Sequence, residues 1–148
     1  MANWAELERA EPELAAAGWA LLSKGIAYLG TVRADGAPRV HPVTPIRSGD
    51  ELYVSVSRTT TKVHDLRRDP RYALHALPGE ADEEFYLAGV VREEDDAALK
   101  RQAHEDAIFT PEPSDPLMAL QIERCLWSRW INVGQPDTYA ERRVWRPA

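Results

Sequence analysis

The stretch Leu52-Tyr-Val-Ser-Val-Ser-Arg-Thr-Thr-Thr-Lys-Val-His-Asp-Leu-Arg-Arg-Asp-Pro70 changes its periodicity partway along. Up to Ser57 it alternates with period two. Leu52, Val54 and Val56 face one way and Tyr53, Ser55 and Ser57 the other, which predicts a strand with one apolar face. Beyond Arg58, three threonines precede a short charged segment. Hydroxyls at that place predict a helix N-terminus, and Asp69-Pro70 ends the helix. A strand that runs directly into a threonine-rich helix start carrying Lys62 is the feature from which the rest of the chain is read.

Upstream, Ile26-Ala-Tyr-Leu-Gly-Thr-Val32 is rich in strand formers and apolar on both faces. Asp35-Gly36 marks a tight turn, Val40 to Ile46 a second strand, and Ser48-Gly49-Asp50 a second turn. Three strands joined by short loops predict an antiparallel meander, because parallel pairs need a long crossover. Residues 4–23 read as helix in two pieces, with Pro12 opening the second and Gly25 ending it. Downstream, Tyr72 to Leu77 and Phe85 to Val91 read as strands and Asp95 to Glu105 as a helix. Residues 110–116 form a loop. Leu117 to Val133 reads as a segment that begins helical and becomes strand near Cys125, and Val144 and Trp145 close the sheet. The expectation is one domain over residues 1–148, an α+β fold, mainly β, built on an antiparallel barrel with short flanking helices.

Composition bounds the function. The chain has 148 residues, 18 basic and 24 acidic, a net charge of −6. That balance excludes a general binder of nucleic acid or anionic membrane. The charge is uneven, however. Residues 33–71 hold eight basic and five acidic side chains, whereas residues 80–115 hold three basic and twelve acidic. A modest local excess of +3 around Lys62 suits one phosphate ester on a small molecule. A single cysteine, Cys125, cannot form an intrachain disulfide and reads as a buried structural thiol. No apolar run is long enough to span a membrane, and the acidic N-terminus does not resemble a signal peptide, so a cytoplasmic protein is expected.

Two places could carry chemistry. Arg39-Val-His-Pro-Val-Thr-Pro45 has prolines three residues apart, so backbone donors are missing on both sides of the strand. Either this is an edge strand with a bulge, or its backbone at Val43 and Thr44 meets a ligand in place of a neighbouring strand. Thr59-Thr60-Thr61-Lys62 offers free helix N–H groups, hydroxyls and an ammonium, a competent phosphate site, or else a plain N-cap beside a solvated lysine. His41, His64, His75 and His104 lack metal-ligand spacing, so no metal site is expected. Trp127, Trp130 and Trp145 read as interface anchors or a ring-stacking wall.

The order of these pieces resembles the pyridoxamine 5′-phosphate oxidase-like family of flavin-binding split β-barrels, relatives of the deazaflavin F420-binding reductases. Ile26 to Val32, Asp35 to Val43, Leu52 to Ser57 and Thr61 to Pro70 carry the likeness. It covers residues 20–95 and continues in outline beyond. The resemblance implies a homodimer of split barrels with two cofactor sites at the subunit interface. It implies FMN held at its phosphate by Thr60, Thr61 and Lys62. Its ring would lie along His41, Pro42, Val43 and Thr44, with Ser55 and Ser57 lining the site and Arg39 as a further partner. The implied activity is an oxidoreductase working by hydride transfer on a small-molecule substrate, with His41 the candidate proton donor. F420 is the alternative cofactor, its anionic tail met by Arg58, Arg67, Arg68 and Arg71. A non-catalytic flavin or haem binder, with His41, His64 or His75 as haem ligand, is the other alternative. Ser128-Arg129-Trp130 stands where the oxidases carry an Arg-x-His pair, so pyridoxamine phosphate oxidation itself is not expected.

Overall fold

The computed structural model describes residues 1–148. Two helices, α1 (Trp4–Ala10) and α2 (Pro12–Leu22), open the chain. Then follow β1 (Ala27–Val32), β2 (Pro38–Val43), β3 (Ile46–Ser48), β4 (Glu51–Ser55), α3 (Thr61–Arg68), β5 (Arg71–Ala76), a 3-10 turn (Glu80–Asp82), β6 (Glu84–Glu93), α4 (Ala97–Asp106), β7 (Leu117–Ile131) and β8 (Tyr139–Trp145). Pro12 takes the first turn of α2, as its sequence position predicts. Gly36 and Gly49 adopt the positive φ that the two predicted turns require.

All strand pairs are antiparallel, in the order β2-β1-β5-β6-β7-β4-β3, with β8 added alongside β7. The two ends of this path, β2 and β3, are joined by Thr44 and Pro45 alone. A flat sheet of seven strands would hold its edges about 29 Å apart, and the three steps from Val43 to Ile46 reach at most ~11 Å. The sheet must therefore curl until its edges meet, which makes the antiparallel split barrel.

This closure corrects the expected meander. Residues 26–57 form two hairpins at opposite ends of the sheet, β1–β2 and β3–β4, and β2 does not pair with β3. The proline pair supplies the reason: the strand breaks at Thr44-Pro45 and turns a corner. Val43 enters the main core on one side of that corner, and Ile46 a second cluster with Tyr53, Ala103, Leu117 and Ala119 on the other. The first strand is also less apolar than expected, since Tyr28 on its outer face is exposed.

A second correction concerns Leu117 onward, which is strand throughout. Its Leu-Met-Ala-Leu-Gln composition suits a helix, but β7 lies between β6 and β4 with both faces covered over Leu117–Leu120. Burial on both faces outweighs local preference in such a strand.

The main core runs as a row across the sheet. Leu29 opposes Leu74, Leu74 opposes Leu87, and Leu87 opposes Cys125, all fully or nearly fully buried. Helix α2 lays Leu14, Leu21 and Leu22 over it. Gly18 lets α2 approach the sheet, since a Cβ there would stand 2.2 Å from the Phe85 ring. Gly89 sits at the bulge between Ala88 and Gly89, where a Cβ would fall 1.9 Å from the Gln121 carbonyl oxygen. No helix is long and apolar enough to cross a membrane.

Candidate functional site

Strand β2 lies at one end of the sheet path and pairs only with β1, so it is an edge strand, but its register with β1 runs unbroken from Val43 to Pro38 without the expected bulge. Alternation sends Arg39, His41 and Val43 inward and leaves Pro38, Val40 and Pro42 exposed. The Val43 side chain is committed to the core, and Thr44 is half-buried at the corner.

Helix α3 lies beside the turn end of this hairpin, where Arg68 donates to the Val32 carbonyl oxygen. Helical spacing places Lys62, Asp65 and Leu66 on one side of it, and Leu66 is buried. Asp65, 2% exposed, is drawn in with it. Its carboxylate accepts hydrogen bonds from Thr31 Oγ1 at 2.9 Å, Arg39 Nε at 2.8 Å and Arg68 at 3.2 Å. Burial alone would raise its pKa, but these hydrogen bonds and the Arg39 charge hold it below the usual carboxylate range.

The same network fixes His41. Thr31 Oγ1 stands 3.3 Å from His41 Nε2, and the single hydroxyl proton of Thr31 goes to the charged Asp65. Nε2 of neutral His41 is then the donor, and Nδ1 is left as an acceptor. Burial, with Lys62 and Arg39 nearby, lowers the His41 pKa against the opposing pull of Asp65. The imidazole is therefore neutral near pH 7, the protonation state of an acceptor at Nδ1.

The start of α3 is open. Thr60 occupies the N-cap with extended backbone, yet its side chain makes no capping bond and instead donates to the Ser57 carbonyl oxygen at 2.8 Å. The Ser57 and Thr59 hydroxyls bond to one another at 3.0 Å. Thr61 is exposed and, with Arg33, Arg39 and Arg68, lines an open cavity of about 320 Å³. Lys62 is half-buried, and burial lowers its pKa. No carboxylate lies within ion-pair distance of it, although Arg39 and Arg68 are both paired with Asp65. The Lys62 ammonium is thus held partly out of water without a counter-ion from this chain.

The structure thus gathers Arg39 and, through Thr31, His41 around Asp65, sets the Lys62 charge near His41 rather than on Asp65, and ties Thr60 to Ser57. Ser55 ends β4 without a polar contact to this group, and Pro42 faces outward. Asp65 and Thr31 are the members that sequence reading missed. The available signal was helical spacing: Lys62 and Asp65 share a face with an apolar leucine. The tryptophans do not form one wall. Trp127 is buried, with its Nε1 donating to Glu83 and two arginines over its ring, Trp145 packs against the core, and Trp130 is exposed.

Residues 14–126 match the family model described as "Pyridoxamine 5'-phosphate oxidase", and the chain belongs to that family. No curated protein matches the chain. Among solved structures it is similar to a heme binding protein from Mycobacterium smegmatis, at 20% identity and TM-score 0.61. That match covers 85% of this chain, and the chain spans 57% of that protein. The General Stress Protein 26 of Bacillus anthracis str. Sterne is similar at 19% identity and TM-score 0.60, over 76% of this chain and 91% of that one. A nimc/nima family protein from Clostridium acetobutylicum is similar at 17% identity and TM-score 0.61, over 92% and 94%. At these identities the likeness is one of fold.

Proposed function

We propose that this chain is an FMN-dependent oxidoreductase whose phosphate subsite is Lys62 together with the uncapped start of α3. The observation that carries this reading is the half-buried, unpaired Lys62 ammonium beside open helix N–H groups. Thr60, Thr61 and Lys62 hold the phosphate. His41 and Thr44 border the ring, with Pro42 and Val43 contributing backbone and Ser55 and Ser57 the opposite wall. When bound, FMN supplies the hydride chemistry, and the protein supplies position, electrostatics and exclusion of water. His41, neutral and with Nδ1 free, offers an acceptor. It becomes a proton donor only when a proton arrives from solvent or substrate.

The arginines favour FMN over F420. Arg67 is bonded to Glu93, Arg68 to Asp65 and Val32, and Arg71 to Asp69. Of the four cations available for an anionic tail, only the Arg58 guanidinium is uncommitted. The partner in this reading is a second copy of the chain, set against the outer face of β1 and β2, where Tyr28 is 47% and Val40 65% exposed.

The test is a side-by-side titration of the purified protein with FMN, F420 and haemin, followed by absorbance and fluorescence, with a native mass on the product. Saturable FMN binding to a dimer, reducible by NAD(P)H, supports the reading. A Soret shift with haemin and no response to FMN overturns it in favour of the haem alternative, and preferential F420 binding overturns the choice of cofactor.

A further inference from the structure

On the sheet face turned away from α2 lies a second cavity, of about 310 Å³, that shares no residue with the Lys62 site. Strand register builds it. Glu84 stands directly opposite Ser128, and Ser128 opposite Arg142, on three adjacent strands. Glu84 and Arg142 are thus about 10 Å apart at Cα, two strand spacings. The small Ser128 side chain leaves a trough between them. Acid and guanidinium face the same trough, yet neither is paired with the other or with any other group of the chain. Ser128 is buried, and its hydroxyl likewise finds no partner within the chain.

The rest of the rim adds to this polarity. His75 Nδ1 lies 2.6 Å from the Ala76 carbonyl oxygen, which only accepts, so Nδ1 carries the proton and Nε2 is left as an acceptor. Asp82 is brought to the rim by a strained turn, in which Ala81 and Asp82 hold φ of 52° and 57° although neither is glycine. Trp130, 46% exposed, forms an aromatic wall two residues along from Ser128 on the same face. The trough therefore offers acceptors (Glu84, Asp82 and His75 Nε2) at one side, a guanidinium at the other, and a flat apolar surface beside both.

We infer that this cavity binds a small zwitterionic aromatic molecule of the α-amino-acid type: its ammonium on Glu84 and Asp82, its carboxylate on Arg142, its ring against Trp130. A lone cation would meet Arg142, and a lone anion would meet two carboxylates. Only a ligand carrying both charges a few ångströms apart satisfies the two sides of the trough together. The size suits such a ligand, at the lower end of small-molecule pockets, ~300 Å³ and above.

The experiment titrates the full chain with L-phenylalanine as probe, following the Trp130 indole N–H in two-dimensional NMR spectra. Phenethylamine, which lacks the carboxylate, and phenylacetate, which lacks the ammonium, are the comparison compounds. L-Phenylalanine is expected to bind saturably and about tenfold more tightly than either, since each end makes a charge-assisted contact. The pair D82N/E84Q removes the advantage over phenylacetate, and R142Q the advantage over phenethylamine. Asp82 and Arg142 are exposed and Glu84 is half-buried, and the dispersion of the same spectra reports that the variants are folded. Lys62→Ala leaves this binding unchanged, so failure here and failure of the FMN reading are separable. No saturation up to the solubility of L-phenylalanine, equal binding of the three compounds, or a response that survives D82N/E84Q and R142Q overturns the inference.

Discussion

Asp65 and Arg39 form an ion pair at 2.8 Å that joins helix α3 to the edge hairpin β1–β2, with the carboxylate almost wholly buried and the guanidinium partly exposed. Thr31 and Arg68 complete the shell of the carboxylate. Because Asp65 sits one turn after Lys62, this pair sets where the lysine stands relative to β2. Asp65→Ala leaves Arg39 partly buried without its counter-ion and is expected to lower stability by about 3 kcal/mol. Urea denaturation measures it. A loss below about 1 kcal/mol would place the pair among weak surface bridges.

Two buried carboxylates predict acid sensitivity. Asp65 and Glu94 would both be raised by burial, yet both are held below the ordinary carboxylate range. Thr31, Arg68 and Arg39 do this for Asp65; the Asp96 N–H, Arg92 and Tyr53 do it for Glu94. A depressed folded-state pKa contributes stability that is complete above the unfolded value and is lost as pH falls through the folded one. Thermal midpoints measured against pH should therefore be flat near neutrality and fall below about pH 4. In the Asp65→Asn variant the fall should be shallower, because the most deeply buried of the depressed carboxylates no longer titrates, while Glu94, Glu93 and Asp69 still do.

Gly18→Ala tests how closely α2 lies on the sheet. The added methyl would stand 2.2 Å from a Phe85 ring carbon, and Phe85 is fully buried. The expected cost is about 2 kcal/mol, read as a lowered denaturation midpoint, in spite of the better helix propensity of alanine. A neutral or stabilising result would mean that α2 rides higher than described.

Cys125 should be silent. Its thiol is fully buried, and burial pushes its pKa well up, so the thiolate is scarce. A thiol reagent such as 5,5′-dithiobis(2-nitrobenzoate) should react with the denatured chain and not with the native one. Reaction at the native rate of a free thiol would contradict the position of Cys125 in the core row.

Much of this architecture is legible in the residues, for local reasons. Pro12 at a helix start and glycines at positive φ in Asp35-Gly36 and Ser48-Gly49 each depend on a few neighbours only. The alternation around Val54 is legible too, but the strand does not have the single apolar face it predicts, because Tyr53 on the other side is buried in the second cluster. The proline pair marks β2 as an edge, one of the two readings it allows, although without the bulge. What escaped was long-range. Whether β2 pairs with β3 is decided by barrel closure, which no local pattern in residues 38–48 records. Leu117–Leu120 is strand because β4 and β6 flank it, against its own helix-forming composition. The phosphate reading of Lys62 came from local sequence. Asp65, one charge in a short charged helix, carries no local signal of burial; that burial depends on α3 meeting Thr31 and Arg39.

The measurement that bears most directly on the proposed function compares FMN with riboflavin, which differ by the phosphate alone, on wild-type protein and on Lys62→Ala. Quenching of flavin fluorescence gives the four dissociation constants. If Lys62 and the open start of α3 hold the phosphate, wild-type protein prefers FMN by at least about tenfold, as a charge-assisted contact requires. Lys62→Ala removes most of that preference while leaving riboflavin binding unchanged. Equal affinity of wild-type protein for the two flavins, or a preference that survives Lys62→Ala intact, would contradict the assignment.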